Sequence, residues 1–254
     1  MMSKELQAAL DAARAAAEVI QGMYRRNLAV TLKADKSPVT EADVKAEEAI
    51  RSVLQARFPG HGFYGEETGR HGVDAENVWL VDPIDGTKSF VRDCPFFSTQ
   101  IALSRAGRLV LGVSCACAYG ELAWAEEGGG AFLDGEPIRV STVGELGGAI
   151  LSTGNLKTLA ASHTGWSRFG ALVGRVNRLR GYGDFLHYHL LARGALDAVV
   201  ESDVNILDIA ALTVIVREAG GRMTDLSGGE VGLETTTVLA SNSLLHPALL
   251  AALN

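Results

Sequence analysis

Between residues 4 and 26, apolar side chains recur at Leu6, Leu10, Ala13, Ala17 and Ile20, spacings of three and four that predict a long amphipathic helix. A loop follows. Pro38 disfavours helix before it, and Thr40 with Asp43 reads as a capping box, so a second helix is expected from about 41 to 57, closed by Pro59 and Gly60. From 78 to about 140 the pattern turns to strands: 78–82, 97–104 and 108–116, the last two joined by a turn at Ala106-Gly107, then 121–127 and 130–141. The second half alternates. Strands are expected at 148–153, 176–181, 196–202, 221–226 and 236–241, with helices at 159–175, 184–194, from Asp208 to Ala219 and at 246–253.

An antiparallel, helix-covered half is thus followed by an α/β half, with no internal repeat and no Pro/Gly/Ser linker between them. The expectation is one unit of mixed α+β and α/β type with two subdomains, 1–140 and 141–254. With 254 residues, 47% of them hydrophobic, the chain has enough apolar surface for a large core. Its formal net charge of −7 argues against a nucleic-acid or anionic-membrane partner, both of which need a positive field. Apolar runs such as 109–118 fall well short of the roughly 20 residues that span a bilayer, and Lys4, Glu5 and Asp11 interrupt any leader-like core. A cytoplasmic protein with a small-molecule ligand is expected. Cys94, Cys115 and Cys117 are odd in number, and the 115/117 spacing lacks the form of a redox or zinc motif, so reduced core thiols are expected.

The densest chemistry lies at 79–90, where an apolar strand ends in Asp82, Pro83, Ile84, Asp85, Gly86 and Thr87. Two carboxylates delivered to one point repel unless a cation lies between them, and hard oxygen ligands favour Mg²⁺ or Ca²⁺. Gly86 and Thr87 would then open a helix whose unbonded amides attract an anion, which makes metal plus phosphate the implied pair. The plainer alternative is a turn and a helix cap. Other acids bear on the choice: Glu66 and Glu67 follow Gly65, Asp208 stands among apolar residues where a helix begins, and Asp43 has its capping role. Each also has a structural reading, as a solvated loop or a cap.

Gly-Glu-Glu at 65–67, Asp-Pro-Ile-Asp-Gly-Thr at 82–87, and the later Asp208 followed by Ala-Gly-Gly at 219–221 together resemble the inositol monophosphatase family over nearly the whole chain. The resemblance implies a layered αβαβα sandwich, a homodimer, and a Mg²⁺-dependent phosphomonoesterase holding two or three ions, in a site that Mn²⁺ or Ca²⁺ can also enter. Carried over, it implies that Glu66, Asp82, Asp85, Asp208 and the Ile84 carbonyl hold metal. Glu66 and Thr87 would position the attacking water, Asp43 would support Thr87, and the Gly86 and Thr87 amides would hold phosphate. Lys36 would close over the site.

For the leaving group, Gly183-Asp184 stands where inositol phosphatases have Gly-Ser or Gly-Thr, and Glu201, seven before Asp208, matches a substrate-contacting glutamate. Asp184, Glu201 and Asp208 therefore form the expected substrate side. Carboxylates suit an ammonium better than a neutral polyol. The pattern is similar to the histidinol-phosphate phosphatase branch, although Trp124 lacks its partner arginine and Leu207 stands where a Tyr is common. Helix capping by Asp184 is the alternative. Inositol 1-phosphate remains a second substrate, and a 3′-phosphoadenosine nucleotide a third. A dehalogenase-type phosphatase, with acids two apart, and a non-enzymatic cation-binding module are the competing classes. His187 and His189, two apart on a helix, read as core or surface histidines.

Overall fold

The computed structural model describes residues 2–26, 30–32 and 38–254. Helix α1 (Lys4–Met23) buries the expected stripe, including Leu6, Leu10, Ala13 and Ile20, and Ser3 caps it. The loop after it contains a short antiparallel ribbon, β1 (Val30–Leu32) and β2 (Pro38–Thr40). Helix α2 (Glu41–Arg57) carries the predicted capping box, Thr40 with Asp43 at N3. Then come β3 (Gly62–Gly65), β4 (Gly69–His71), β5 (Asn77–Asp85) and the five-residue α3 (Thr87–Val91). A meander of β6 (Ser98–Arg105), β7 (Arg108–Ala116), β8 (Glu121–Glu126), β9 (Gly130–Leu133) and β10 (Glu136–Ile138) completes an eight-stranded sheet in the order β10-β9-β8-β7-β6-β5-β3-β4. Its pairings are antiparallel except β3 with β5.

Beyond a single 3₁₀ turn, β11 (Ile150–Thr153), β12 (Arg178–Arg180), β13 (Ala198–Ser202), β14 (Gly221–Thr224) and β15 (Thr237–Asn242) form a second sheet in the order β12-β11-β13-β15-β14. Its helices are α4 (Lys157–Ala161), α5 (His163–Val173), α6 (Asp184–Ala192), α7 (Ile206–Glu218) and α8 (His246–Leu253). The helix expected over 159–175 is two, because Ser162 ends the first and caps the second by accepting from the Gly165 amide. Helix α7 begins two residues before Asp208, since Asn205 supplies the cap.

Three apolar clusters fix the layer order. One joins α1 and α2 to one face of the large sheet through Ile50, Trp79, Val81 and Ile101. Another packs α6 and α7 between the two sheets, with Leu80, Ala211, Leu212 and Val199. A third covers the outer face of the small sheet with α5 and α8. The result is the αβαβα sandwich. Among the described residues, no helix is long and apolar enough to cross a membrane.

Candidate active site

Strand β5 runs through Pro83 because the register breaks between Asp82 and Asp85, where a proline costs the ladder nothing. The break brings both acids to the same end of the strand. The amide of Ile84 donates to Asp82 Oδ1 at 2.9 Å, and the Thr99 hydroxyl donates to the Pro83 carbonyl at 2.8 Å. Gly86, with φ of 91°, then starts α3, a helix too short for an appreciable dipole. Its first bonds come from Ser89 and Phe90 amides to the Gly86 carbonyl, which leaves the Gly86 and Thr87 amides outside the helix ladder.

From the opposite side, α7 presents Asp208. This residue is the N3 partner of the cap rather than the cap itself: its Oδ2 accepts from the Asn205 amide at 2.9 Å and its Oδ1 from Asn205 Nδ2 at 2.7 Å. Asp82, Asp85 and Asp208 each offer an oxygen, all within 4.8 Å of one another. Burial first, then Glu66, Asp85 and Asp208, push Asp82 well above the usual carboxylate range; a hydrogen bond with Glu66 adds to this. Burial, Asp184 and Asp208 do the same for Asp85, and burial lifts Asp208 to about 7. Acids held this way need protons or a cation, and an all-oxygen donor set fits a hard divalent ion. Glu66, in the turn after β3, is tied to β5 by its amide, which donates to the Val81 carbonyl at 3.1 Å.

The Thr87 hydroxyl lies 3.1 Å from Asp43 Oδ1 and 3.0 Å from the Ile84 carbonyl. Asp43 is fully buried, and its other oxygen accepts the amide and hydroxyl of Thr40 at 2.8 and 2.7 Å. Its carboxyl is raised by burial, against which those bonds and Thr87 act. Asp43 is therefore both capping residue and Thr87 partner.

The two carboxylates expected on the leaving-group side differ. Asp184 is at the first position of α6 and makes no cap bond; its φ of 45° puts a side-chain-bearing residue in the left-handed region. No protein donor among the described residues bonds its carboxylate, whose pKa burial and Glu201 raise while His187 and Lys88 oppose them. Glu201 instead accepts from the Asn155 amide at 3.0 Å, His187 Nε2 at 3.1 Å and the Tyr188 hydroxyl at 2.9 Å. Burial alone would raise it, but His187 and these donors hold it below the ordinary glutamate value.

The acids expected in the site thus meet at one place, drawn from β5, α2, α6, β13, α7 and the turn after β3. Lys36 lies outside the described residues. Sequence reasoning missed Glu47, His187 and Tyr188 as parts of the site. His189 faces away and bonds Glu121 and Ser114, each at 2.9 Å.

A family model for the inositol monophosphatase family matches residues 1–254. A histidinol-phosphatase of Mycobacterium tuberculosis is 42% identical over 239 residues, 90% of this chain and 89% of that protein. An inositol-1-monophosphatase of Mesorhizobium japonicum is 37% identical over 233 residues, covering 89% of this chain and 86% of its own length. Among solved structures, the extragenic suppressor protein suhB of Bartonella henselae superposes with a TM-score of 0.91 at 33% identity, covering 99% of both chains.

Proposed function

Because the chain belongs to the inositol monophosphatase family, and so is a phosphoric monoester hydrolase of a metal-dependent family, we propose that its substrate is L-histidinol phosphate and its metal Mg²⁺. Glu66, Asp82, Asp85, Asp208 and the Ile84 carbonyl would hold two or three ions, with Mn²⁺ or Ca²⁺ able to take their place. When bound, the metal supplies a water of lowered pKa and a pull on the ester oxygens.

The chain's own groups do the rest. By donating to Asp43, the Thr87 hydroxyl turns its lone pairs outward, where they accept a hydrogen bond from the attacking water; Glu66 accepts a second one from the same water and takes up its proton as the oxygen attacks. The Gly86 and Thr87 amides, outside the helix ladder, would hold the phosphate. Attack is in line, with the leaving alcohol on the side of Asp184, Glu201 and Asp208, and no phosphoenzyme is formed.

The observation that carries the substrate is Asp184: a half-buried carboxylate in a left-handed backbone position, with no donor among the described residues to satisfy it. An ammonium on the leaving alcohol fills that need through a charge-assisted bond. Myo-inositol 1-phosphate is the second reading, favoured by the 37% identical Mesorhizobium relative. A panel of histidinol phosphate, inositol 1-phosphate and a 3′-phosphoadenosine nucleotide, assayed for phosphate release with Mg²⁺, decides between them. The highest kcat/KM is expected for histidinol phosphate; faster turnover of the inositol ester would give the second reading the place.

The same reading keeps a cytoplasmic homodimer whose subdomains are 1–140 and 141–254. The family's frequent dimers favour the assembly, which sedimentation equilibrium tests; of the three thiols expected in the core only Cys115 is buried, Cys94 and Cys117 being half-buried.

A further inference from the structure

We propose that Glu47 is a positioning residue for Glu66: its carboxylate reaches from α2 and holds the turn on which Glu66 sits. The proposal rests on the reading of Glu66 as metal ligand and water-orienting acid given above.

Three observations carry it. Glu47 has no exposed surface, so its carboxylate is enclosed by protein. Its Oε2 accepts the Glu67 amide at 2.8 Å, and its Oε1 accepts the Thr68 amide at 2.8 Å and the Thr68 hydroxyl at 2.6 Å. Two of those three donors are the peptide amides that follow Glu66, and the third is the Thr68 hydroxyl. On the other side stands Gly65, where a Cβ would lie 2.4 Å from Glu47 Oε1 and 2.5 Å from its Cδ. The first residue of the Gly-Glu-Glu run is glycine because the Glu47 carboxylate occupies the volume of its side chain.

The chemistry explains why the group is a carboxylate. Two adjacent amides and a hydroxyl converge on it, and only an anion offers acceptor oxygens on both sides without a hydrogen of its own. A glutamine would turn an NH₂ against one of the amides. With the amide of Glu66 already tied to Val81, Glu47 closes the second side of the turn and leaves Glu66 little freedom. Water-orienting groups need placement to about half an ångström, a tolerance an untethered turn does not meet.

Helix α2 is then a bracket. Asp43 and Glu47 are four residues apart, on consecutive turns of one face, and hold Thr87 and the Glu66 turn respectively. The two groups that orient the water hang from a single rigid element.

The test combines direct Mn²⁺ binding, read by the loss of the free-ion electron paramagnetic resonance signal, with kinetics on the best ester of the panel. The variants are Glu47→Gln, Glu47→Asp, Gly65→Ala and, as a packing control on the same helix, Ile50→Val. Glu47→Gln and Gly65→Ala should each weaken Mn²⁺ binding and lower kcat by tenfold or more, with KM within threefold of wild type. Glu47→Asp, which draws the charge back by one methylene, should fall between. Ile50→Val should lower the melting temperature and leave metal binding and kcat unchanged. If Glu47→Gln does not fold, the other two site variants carry the comparison. Folded variants with wild-type Mn²⁺ affinity and kcat, or equal losses in Ile50→Val, would overturn the proposal and leave the metal reading standing. Wild-type protein that binds no Mn²⁺ would remove both.

Discussion

Asp184→Asn changes a single charge in the leaving-group chamber and almost nothing else. Asparagine is close in shape and tolerates the left-handed backbone at φ 45° as aspartate does, so the helix start is retained. What is lost is the ionic half of the bond to a substrate ammonium. The ammonium keeps a bond to the asparagine carbonyl but loses the opposite charge, and the spread of about 1.5 kcal/mol among hydrogen bonds to charged groups sets the loss at about 1–1.5 kcal/mol, or roughly tenfold in kcat/KM. The carboxylate also adds to the field on Asp85, so its removal weakens metal binding for every substrate. Measuring the ratio of kcat/KM for histidinol phosphate to that for inositol 1-phosphate cancels this common effect. The ratio should fall about tenfold, chiefly through KM. A ratio that stays within twofold while both esters slow down would refute the ammonium argument and leave Asp184 as a general contributor to the field.

Asp82→Asn should cut turnover by about three orders of magnitude or more with the fold intact, since it removes an oxygen ligand and relieves repulsion; circular dichroism and phosphate release check the two halves of that statement. Thr87→Val should lower kcat about a hundredfold with KM little changed, because the water loses its acceptor while the phosphate keeps its amides. Free Mg²⁺ at a hundred times its dissociation constant should stabilise the chelator-treated protein by about 2.7 kcal/mol, a rise of roughly 5–10 °C in melting temperature. His246 is enclosed, bonds Ser241 and Thr224 Oγ at 2.8 and 3.1 Å, and is held down to about 4 by burial and Arg222. Below pH 6.5 the unfolded chain takes up that proton first, so stability is full at neutral pH and falls as pH drops from 6.5 towards 4. Urea midpoints of His246→Gln should show a shallower fall over that window, and identical slopes would refute it.

The six-residue run at 82–87 and the capping box at 40–43 were readable because their meaning is local: proline, glycine and paired acids fix a turn whatever surrounds them. The same holds for the alternation of strands and helices that pointed to an antiparallel half followed by an α/β half; the layered sandwich came from the family resemblance. Strand β3 was not readable, since a Gly-Phe-Tyr-Gly segment has no alternation and becomes a strand only by pairing with β5. The split between α4 and α5 turned on one serine favouring a cap over continuation. Glu47 looked like any helix-face acid, because its donors lie twenty and twenty-one residues away. His187 and Tyr188 on α6 were invisible as supports of Glu201 for the same reason: their partner is on a different element, β13.

Asp208 stands 123 residues after Asp85, 126 after Asp82 and 142 after Glu66. During synthesis, Glu66, Asp82 and Asp85 therefore leave the ribosome long before their counterpart, and a nascent chain halted short of α7 carries only part of an ion cage. Truncated products of this kind would be inert, not feebly active, while two separately produced fragments that reassociate would regain metal and turnover in the same step.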